Sequence, residues 1–296
     1  MTDAMVVVRP GPLSTVQDLG RRGVAHLGVP RAGALDGPAL RAANRLVGNE
    51  PGAAAVETTM GGIAVRALRP LVVAVTGAPS PVRVDGRPAA WGAPVAVAAG
   101  SVVDVGAATA GVRAYLAVAG GLAVEPVLGS RSADLLSGLG PAPLAVGDRL
   151  PVGPRPPYRP APELVPLPAP PAELVLRLRL GPRADWFTPD AAALLARAPY
   201  RVAPAGNRIA LRTEGPPLVR AREDELPSEG MVLGAVQVPP DGRPVVLLAD
   251  HPTTGGYPVV GVVPPADLAA AAQARPGTPV RFAVLPGRPT GGRPPG

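Results

Sequence analysis

The sequence predicts a mainly β protein of the sandwich or barrel kind, and three observations carry that prediction. Short valine-rich runs recur, each bounded by glycine, proline or aspartate. "VDGRP" at 84–88 holds an Asp-Gly pair, the residues of a tight hairpin turn. Few segments carry a helical period, and evenly spaced short strands favour a closed or sandwiched sheet over a doubly wound one.

The elements follow in order. Val6–Val8 is the first β-like run, and Pro10-Gly11-Pro12 turns the chain. The opening stretch 9–36 then gathers Thr15, Gln17 and Asp18 before a glycine. Residues 35–49 read as a helix: Asp36 caps it, Pro38 sits in its first turn, and Leu40, Ala43, Leu46 and Val47 form an apolar stripe. Its N-terminus suits an anion, but Asp36 fills it as an ordinary cap. The runs Leu71–Val75, Val82–Val84, Val95–Ala98, Val102–Val105 and Val112–Val118 read as strands, with "AAGS" at 98–101 a further turn. Residues 151–173 are too dense in proline for a central strand and read as an extended connector. "ELVLRLRLG", 173–181, alternates cleanly and starts a second β domain. Helices are expected at 188–198, with Thr188 as cap and Pro189 first in the helix, and at 265–277. The organisation expected is therefore a β-rich lobe over 1–153, a linker over 154–172, a second β-rich lobe over 173–285 and a frayed tail over 286–296. "DGRP" occurs at 85–88 and again at 241–244, as one turn chemistry used twice or as the echo of a duplication.

Composition excludes several chemistries. The 296 residues, 47% hydrophobic and 17% charged, suffice for a sizeable core. There is no cysteine, so disulfides, thiolate catalysis and Cys-ligated zinc are out. There is no lysine either: all 29 basic residues are arginine, which removes a Walker A lysine, a Schiff base and a biotinylated lysine on this chain. Two histidines, His26 and His251, cannot build a multi-histidine metal site, and no metal is expected. The +7 charge comes from scattered arginines without interleaved aromatics, which argues for a small anion or an acidic partner rather than nucleic acid. No apolar stretch reaches the roughly 18 residues of a membrane span, and no secretory leader is visible, so a cytoplasmic protein is expected.

Polar chemistry concentrates in "ADHPTTGGYP", 249–258, between the apolar runs Val245–Ala249 and Val259–Val263. Gly255 and Gly256 permit positive φ, so the amides of Thr253, Thr254, Gly255 and Gly256 are expected to converge as a nest for an anion or a carbonyl oxygen. The alternative is a tight turn capped by its own side chains. Tyr257 adds a ring and a phenol. Asp250, at the strand end, is the candidate base or N–H acceptor. "AGNRIALR", 205–212, adds Asn207, able to donate and accept at once, and Arg208, a fork for carboxylate or phosphate. His251 reads as structural.

Several long motifs then carry a resemblance: "PGPLSTVQDLGRRGVAHLGVPRAGALDGPALRAANRLVGN", "AYLAVAGGL", "LGSRSADLLSGLG", "GDRLPVG", "AGNRIALR", "VQVPPDGRPVVLLADHPTTGGYPVVG" and "ADLAAAAQARPG". In this order they resemble the allophanate hydrolase subunit 2-like proteins, also called biotin-dependent carboxyltransferase-like proteins or the C subunits of 5-oxoprolinase. The resemblance spans about residues 6 to 283. It implies two cyclophilin-like β-barrel lobes with a few short helices. It also implies a heteromer with a subunit 1-like or B-like partner protein. In 5-oxoprolinase, which opens 5-oxoproline to glutamate at the expense of ATP, an A-like partner joins as well. ATP would then act through other subunits, and biotin only on another chain. Two alternatives stand beside it: the carboxyltransferase of a biotin-dependent urea or amide carboxylase, and a regulator that binds a kinase-inhibitor-like partner. The resemblance places the pocket at Asn207, Arg208 and the "TTGGYP" loop.

Overall fold

Valine-rich runs form many of the strands of this chain, and the positions without them show where polar contacts replace apolar ones. The computed structural model describes residues 3–155, 168–222 and 224–285. The first half contains β1 (Asp3–Arg9), β2 (Ser14–Gln17), α1 (Gly37–Leu46), β3 (Ala55–Thr59), β4 (Ile63–Ala67), β5 (Leu71–Gly77), β6 (Val82–Val84), β7 (Arg87–Ala89), β8 (Pro94–Val97), β9 (Val102–Val105), β10 (Arg113–Val118) and β11 (Arg149–Pro151). The second half contains β12 (Leu174–Leu180), α2 (Ala191–Arg197), β13 (Tyr200–Val202), β14 (Ala210–Glu214), β15 (Glu229–Gly230), β16 (Ala235–Gln237), β17 (Val245–Leu247), β18 (Thr254–Gly255), β19 (Val259–Val262), α3 (Pro265–Gln273) and β20 (Pro279–Val284).

The first half is two facing sheets, ordered β11-β1-β4-β9-β6-β7 and β2-β3-β10-β5-β8. Val7, Val65 and Val103 of one meet Val56, Val75 and Leu116 of the other in a shared core. β10 is buried along its whole length because both its faces are covered. Leu116 and Val118 point into the sandwich, whereas Tyr115 and Ala117 point outward under α1, against Leu40, Ala43 and Leu46. The α1 stripe read from the sequence is thus its buried face, and the Asp36 side chain accepts from the Ala39 amide as a cap.

The second half closes into a barrel ordered β12-β19-β16-β17-β14-β13-β20, sealed where β12 runs parallel to β20. Leu174, Leu176 and Leu178, the alternate residues of "ELVLRLRLG", are each 0% exposed and fill it with Val236, Val246, Val260 and Phe282. Leu35, from the first half, joins the same core. The fold is therefore mainly β with a few short helices.

Two local expectations change. The second helix starts at Ala191, not at Thr188; its N-cap is Asp190, without a side-chain cap bond, and Thr188 contributes only its carbonyl, to the Ala191 amide. The two "DGRP" segments form different turns. Asp85 and Gly86 both have positive φ, 49° and 77°, in the tight β6–β7 hairpin. At 241–244 only Gly242 does, its amide bonded to the Pro239 carbonyl. The connector over 154–172 and the tail over 286–296 fall mostly or wholly outside the described residues.

Candidate functional site

The site grows from one cross-strand pair. On the outer face of the second sheet, Glu57 of β3 lies opposite Tyr115 of β10. Both are buried, at 2% and 0% exposure, so the carboxylate must find partners locally. The Tyr115 hydroxyl donates to Glu57 Oε2 at 2.7 Å and accepts from the Asp36 amide. The Leu35 amide also donates to Glu57 Oε2. The barrel supplies the cation. Asn207 turns the chain, its side-chain oxygen accepting from the amides of Ile209 and Ala210. Arg208 is thereby aimed inward: the Asp250 amide bonds to its carbonyl, which sets the Arg208 and Asp250 side chains together.

Arg208 is 0% exposed and every nitrogen of its guanidinium is engaged. Nε and Nη2 grip the two oxygens of Asp250, each at 2.9 Å. Nη2 also donates to the Gly33 carbonyl, and Nη1 donates to Glu57 Oε1. Asp250 takes a further bond from the Leu135 amide. Burial opposes both charges here, but Arg208, helped by Arg113, holds the Glu57 carboxyl below its ordinary value, and Glu57 with Asp250 keeps Arg208 protonated. Gln273, at the end of α3, makes a second weld. Its oxygen accepts from the amides of Val112 and Arg113, and its nitrogen donates to Asp36 Oδ2 and the Arg113 carbonyl.

The structure therefore divides the residues proposed from the sequence. Arg208 and Asp250 meet, but inside the protein. The expected substrate-facing fork and the expected base are engaged with each other, with Glu57 and with main-chain groups of the first half. Asn207 is exposed and lines a cavity of about 110 Å³ between the halves, together with Thr59, Met60, Arg113, Leu248 and Ala272. None of Thr253, Thr254, Gly255, Gly256 or Tyr257 lines that cavity. The glycine loop is a two-stranded ribbon instead of a nest: Thr254 and Gly255 pair with Gly230 and Glu229, and the Thr253 carbonyl accepts from the Met231 amide. Neither Gly255 nor Gly256 has a positive φ. An added Cβ at Gly255 would lie 2.7 Å from the side-chain Nε2 of Gln237, at the end of a side chain that can shift. Thr254 and Tyr257 face solvent. His251 is 6% exposed, with Nδ1–H donating to the Pro252 carbonyl, and burial pulls it below its ordinary value.

Glu57, Arg113, Tyr115 and Gln273 were not singled out in the sequence. A signal existed: Glu57 is a lone acid in "AVETT", a strand with no exposed position, and such an acid demands a buried cation.

Residues 27–284 match the family described as carboxyltransferase domain, subdomain A and B. The chain is 38% identical over 283 residues to the C subunit of 5-oxoprolinase from Escherichia coli (strain K12), covering 93% of this chain and 89% of that protein. Against the corresponding C subunit from Haemophilus influenzae the identity is 33% over 277 residues, 92% of this chain and 88% of that one. Urea amidolyase of Saccharomyces cerevisiae is 31% identical over 95% of this chain but only 17% of its own length. Among solved structures, TTHA0988 superposes with a TM-score of 0.86 at 41% identity. The Kluyveromyces lactis urea carboxylase does so at 0.87 and 30%. The match covers 95% and 96% of this chain, and 56% and 27% of theirs.

Proposed function

We propose that this chain, which belongs to the carboxyltransferase subdomain A and B family, works as one subunit of an ATP-dependent 5-oxoprolinase that opens 5-oxo-L-proline to L-glutamate. The observation that carries this reading is likeness from end to end: the alignment to the C subunit of 5-oxoprolinase takes in 93% of this chain and 89% of the relative. Likeness to urea amidolyase covers nearly all of this chain but 17% of that protein, so it matches a module within a longer machine.

In this reading the chain supplies one wall of a composite site. A chain without lysine has no Walker A lysine for ATP and no lysine to carry biotin, so those fittings belong to partners of the B-like and A-like kinds. The inter-lobe cavity, with Asn207 at its rim, is the recess that suits a small amide, since the Asn207 oxygen is held by the chain and its NH2 is left to meet a carbonyl. Thr254 and Tyr257, exposed on the glycine ribbon, suit contact with a partner protein.

The test is to co-express this chain with partner proteins of the A-like and B-like kinds and measure ATP-dependent release of glutamate from 5-oxoproline. Glutamate release that requires all the chains supports the reading. An assembled complex that is inert toward 5-oxoproline but transfers carboxyl groups from carboxybiotin to urea replaces it with the carboxyltransferase reading, which the 0.87 superposition on urea carboxylase makes the second choice.

A further inference from the structure

The inter-lobe cavity holds a cation whose donors are not matched by the protein. Arg113, at the start of β10, is 7% exposed, and Gln273 fixes its backbone at both N–H and C=O. Its Nε is enclosed and has no hydrogen-bond partner. The nearest carboxylate oxygen, Glu57 Oε1, is 3.8 Å away, too far for a hydrogen bond. That oxygen is already engaged by Arg208, and Glu57 Oε2 by Leu35 and Tyr115. Arg208 thus answers both Glu57 and Asp250, and Arg113 is the end of the cluster where a guanidinium is left without a hydrogen-bond acceptor. Its Nη atoms make no hydrogen bond among the described residues, and they are not enclosed as Nε is. Arg113 is among the residues that line the cavity, whose other walls include Val202, Leu211, Leu248 and Ala272.

A buried guanidinium with open donors is costly, and an apolar wall strengthens whatever anion meets it. Its planar fork matches a carboxylate through two parallel N–H···O bonds. We propose that this cavity is a carboxylate-binding subsite anchored by Arg113, taking a small organic acid whose short hydrocarbon body rests on the apolar walls. The choice of 5-oxoproline as its occupant rests on the function proposed above; the anchor itself rests on the geometry. Arg113 holds the acid end of the ligand, and Asn207 stands at the rim where a ring amide would emerge toward a partner protein.

The cavity is formed by this chain alone, so the test uses the full chain in calorimetric titrations. 5-Oxoproline should bind saturably. 2-Pyrrolidone, the same lactam without the carboxylate, should bind at least about tenfold more weakly, the scale of one charge-assisted hydrogen-bonded pair. Arg113→Met should lose binding by a similar factor or more, and Arg113→Lys should recover part of it. If Arg113→Met does not fold, Met60→Trp, at a rim position that is 41% exposed, should block entry without touching the buried cluster. Equal binding of 2-pyrrolidone or of inorganic phosphate overturns the subsite. So does full affinity in the folded Arg113→Met or in Met60→Trp, or no binding of any small carboxylate. An active complex whose chain binds no carboxylate sinks the subsite and leaves the enzymatic reading. Arg113-dependent binding of propionate with no turnover of 5-oxoproline does the reverse.

Discussion

Arg208 is the residue where sequence and structure part most clearly. An arginine after Gly-Asn, ahead of a strand, reads as a ligand fork. The fold instead aims it inward, because Asn207 closes a turn on Ile209 and Ala210 and the main chain couples Arg208 to Asp250. Removing one member of a buried ion cluster strands the others, at a cost of about 3–5 kcal/mol. Arg208→Met should therefore lower the unfolding free energy, read from urea denaturation, by an amount in that range, whether or not a ligand is present. Asn207 separates two roles. Asn207→Ala removes the turn acceptor and should cost about 1 kcal/mol. Asn207→Asp keeps the acceptor and removes the NH2, so it should fold normally yet raise KM for 5-oxoproline in the assembled complex. A normal KM in Asn207→Asp would remove this residue from the site.

At the scale of elements, turn chemistry was legible and capping was less so. "VDGRP" forms the hairpin its letters call for, because Asp-Gly tolerates two successive positive φ values. Thr188-Pro189 looks like a helix start, yet the chain forms a turn there first, and the apolar residues of α2 begin at Ala191. The short strand β2, "STVQ", carries no periodic signal, because burial without hydrophobicity leaves none. All four of its residues are buried, with Ser14 bonded to Thr58 and Gln17 to Thr15 and the Ala133 carbonyl. Two glycines test how backbone geometry is enforced. Gly86, with φ at 77°, has open space around it, so Gly86→Ala should cost only the left-handed penalty of about 1–2 kcal/mol. Gly62, with φ at 70°, would place a Cβ 2.0 Å from the Val105 carbonyl oxygen, so Gly62→Ala should destabilise far more, seen as a lower thermal midpoint than for Gly86→Ala.

On the scale of the whole molecule, the Gln273 carboxamide and the Arg208 and Arg275 guanidiniums bond across the two halves. Gln273 makes four bonds to groups of the first half, so Gln273→Leu orphans two amides and a carboxylate oxygen, while the Arg113 carbonyl keeps its bond from the Ala78 amide. The wild-type chain should unfold in one transition, and Gln273→Leu should broaden or split it in calorimetry. Acid stability follows from the same burial. His251 has a folded-state pKa below its ordinary value, so its contribution is present above that ordinary value and is lost as the pH falls through the depressed one. Glu57, also lowered, acts in the same sense in the carboxylate range, whereas Asp36 and Asp250, raised by burial, oppose it there. Between about pH 7.5 and 5.5 the histidine dominates, so His251→Gln should flatten the fall in unfolding midpoint over that interval.

The sequence by itself determined that this is a β protein, where its sharp turns lie, which face of α1 is buried, and which chemistries a chain without lysine or cysteine lacks. Those are properties of local period, backbone freedom and residue type, and each acts over a few neighbouring positions. The tertiary structure alone decided that Arg208 and Asp250 hold the halves together, that the glycine loop is a ribbon, and that Arg113 faces a cavity. The reason is that a buried charge takes its meaning from its partners, and here the partners Glu57 and Arg208 are 151 residues apart.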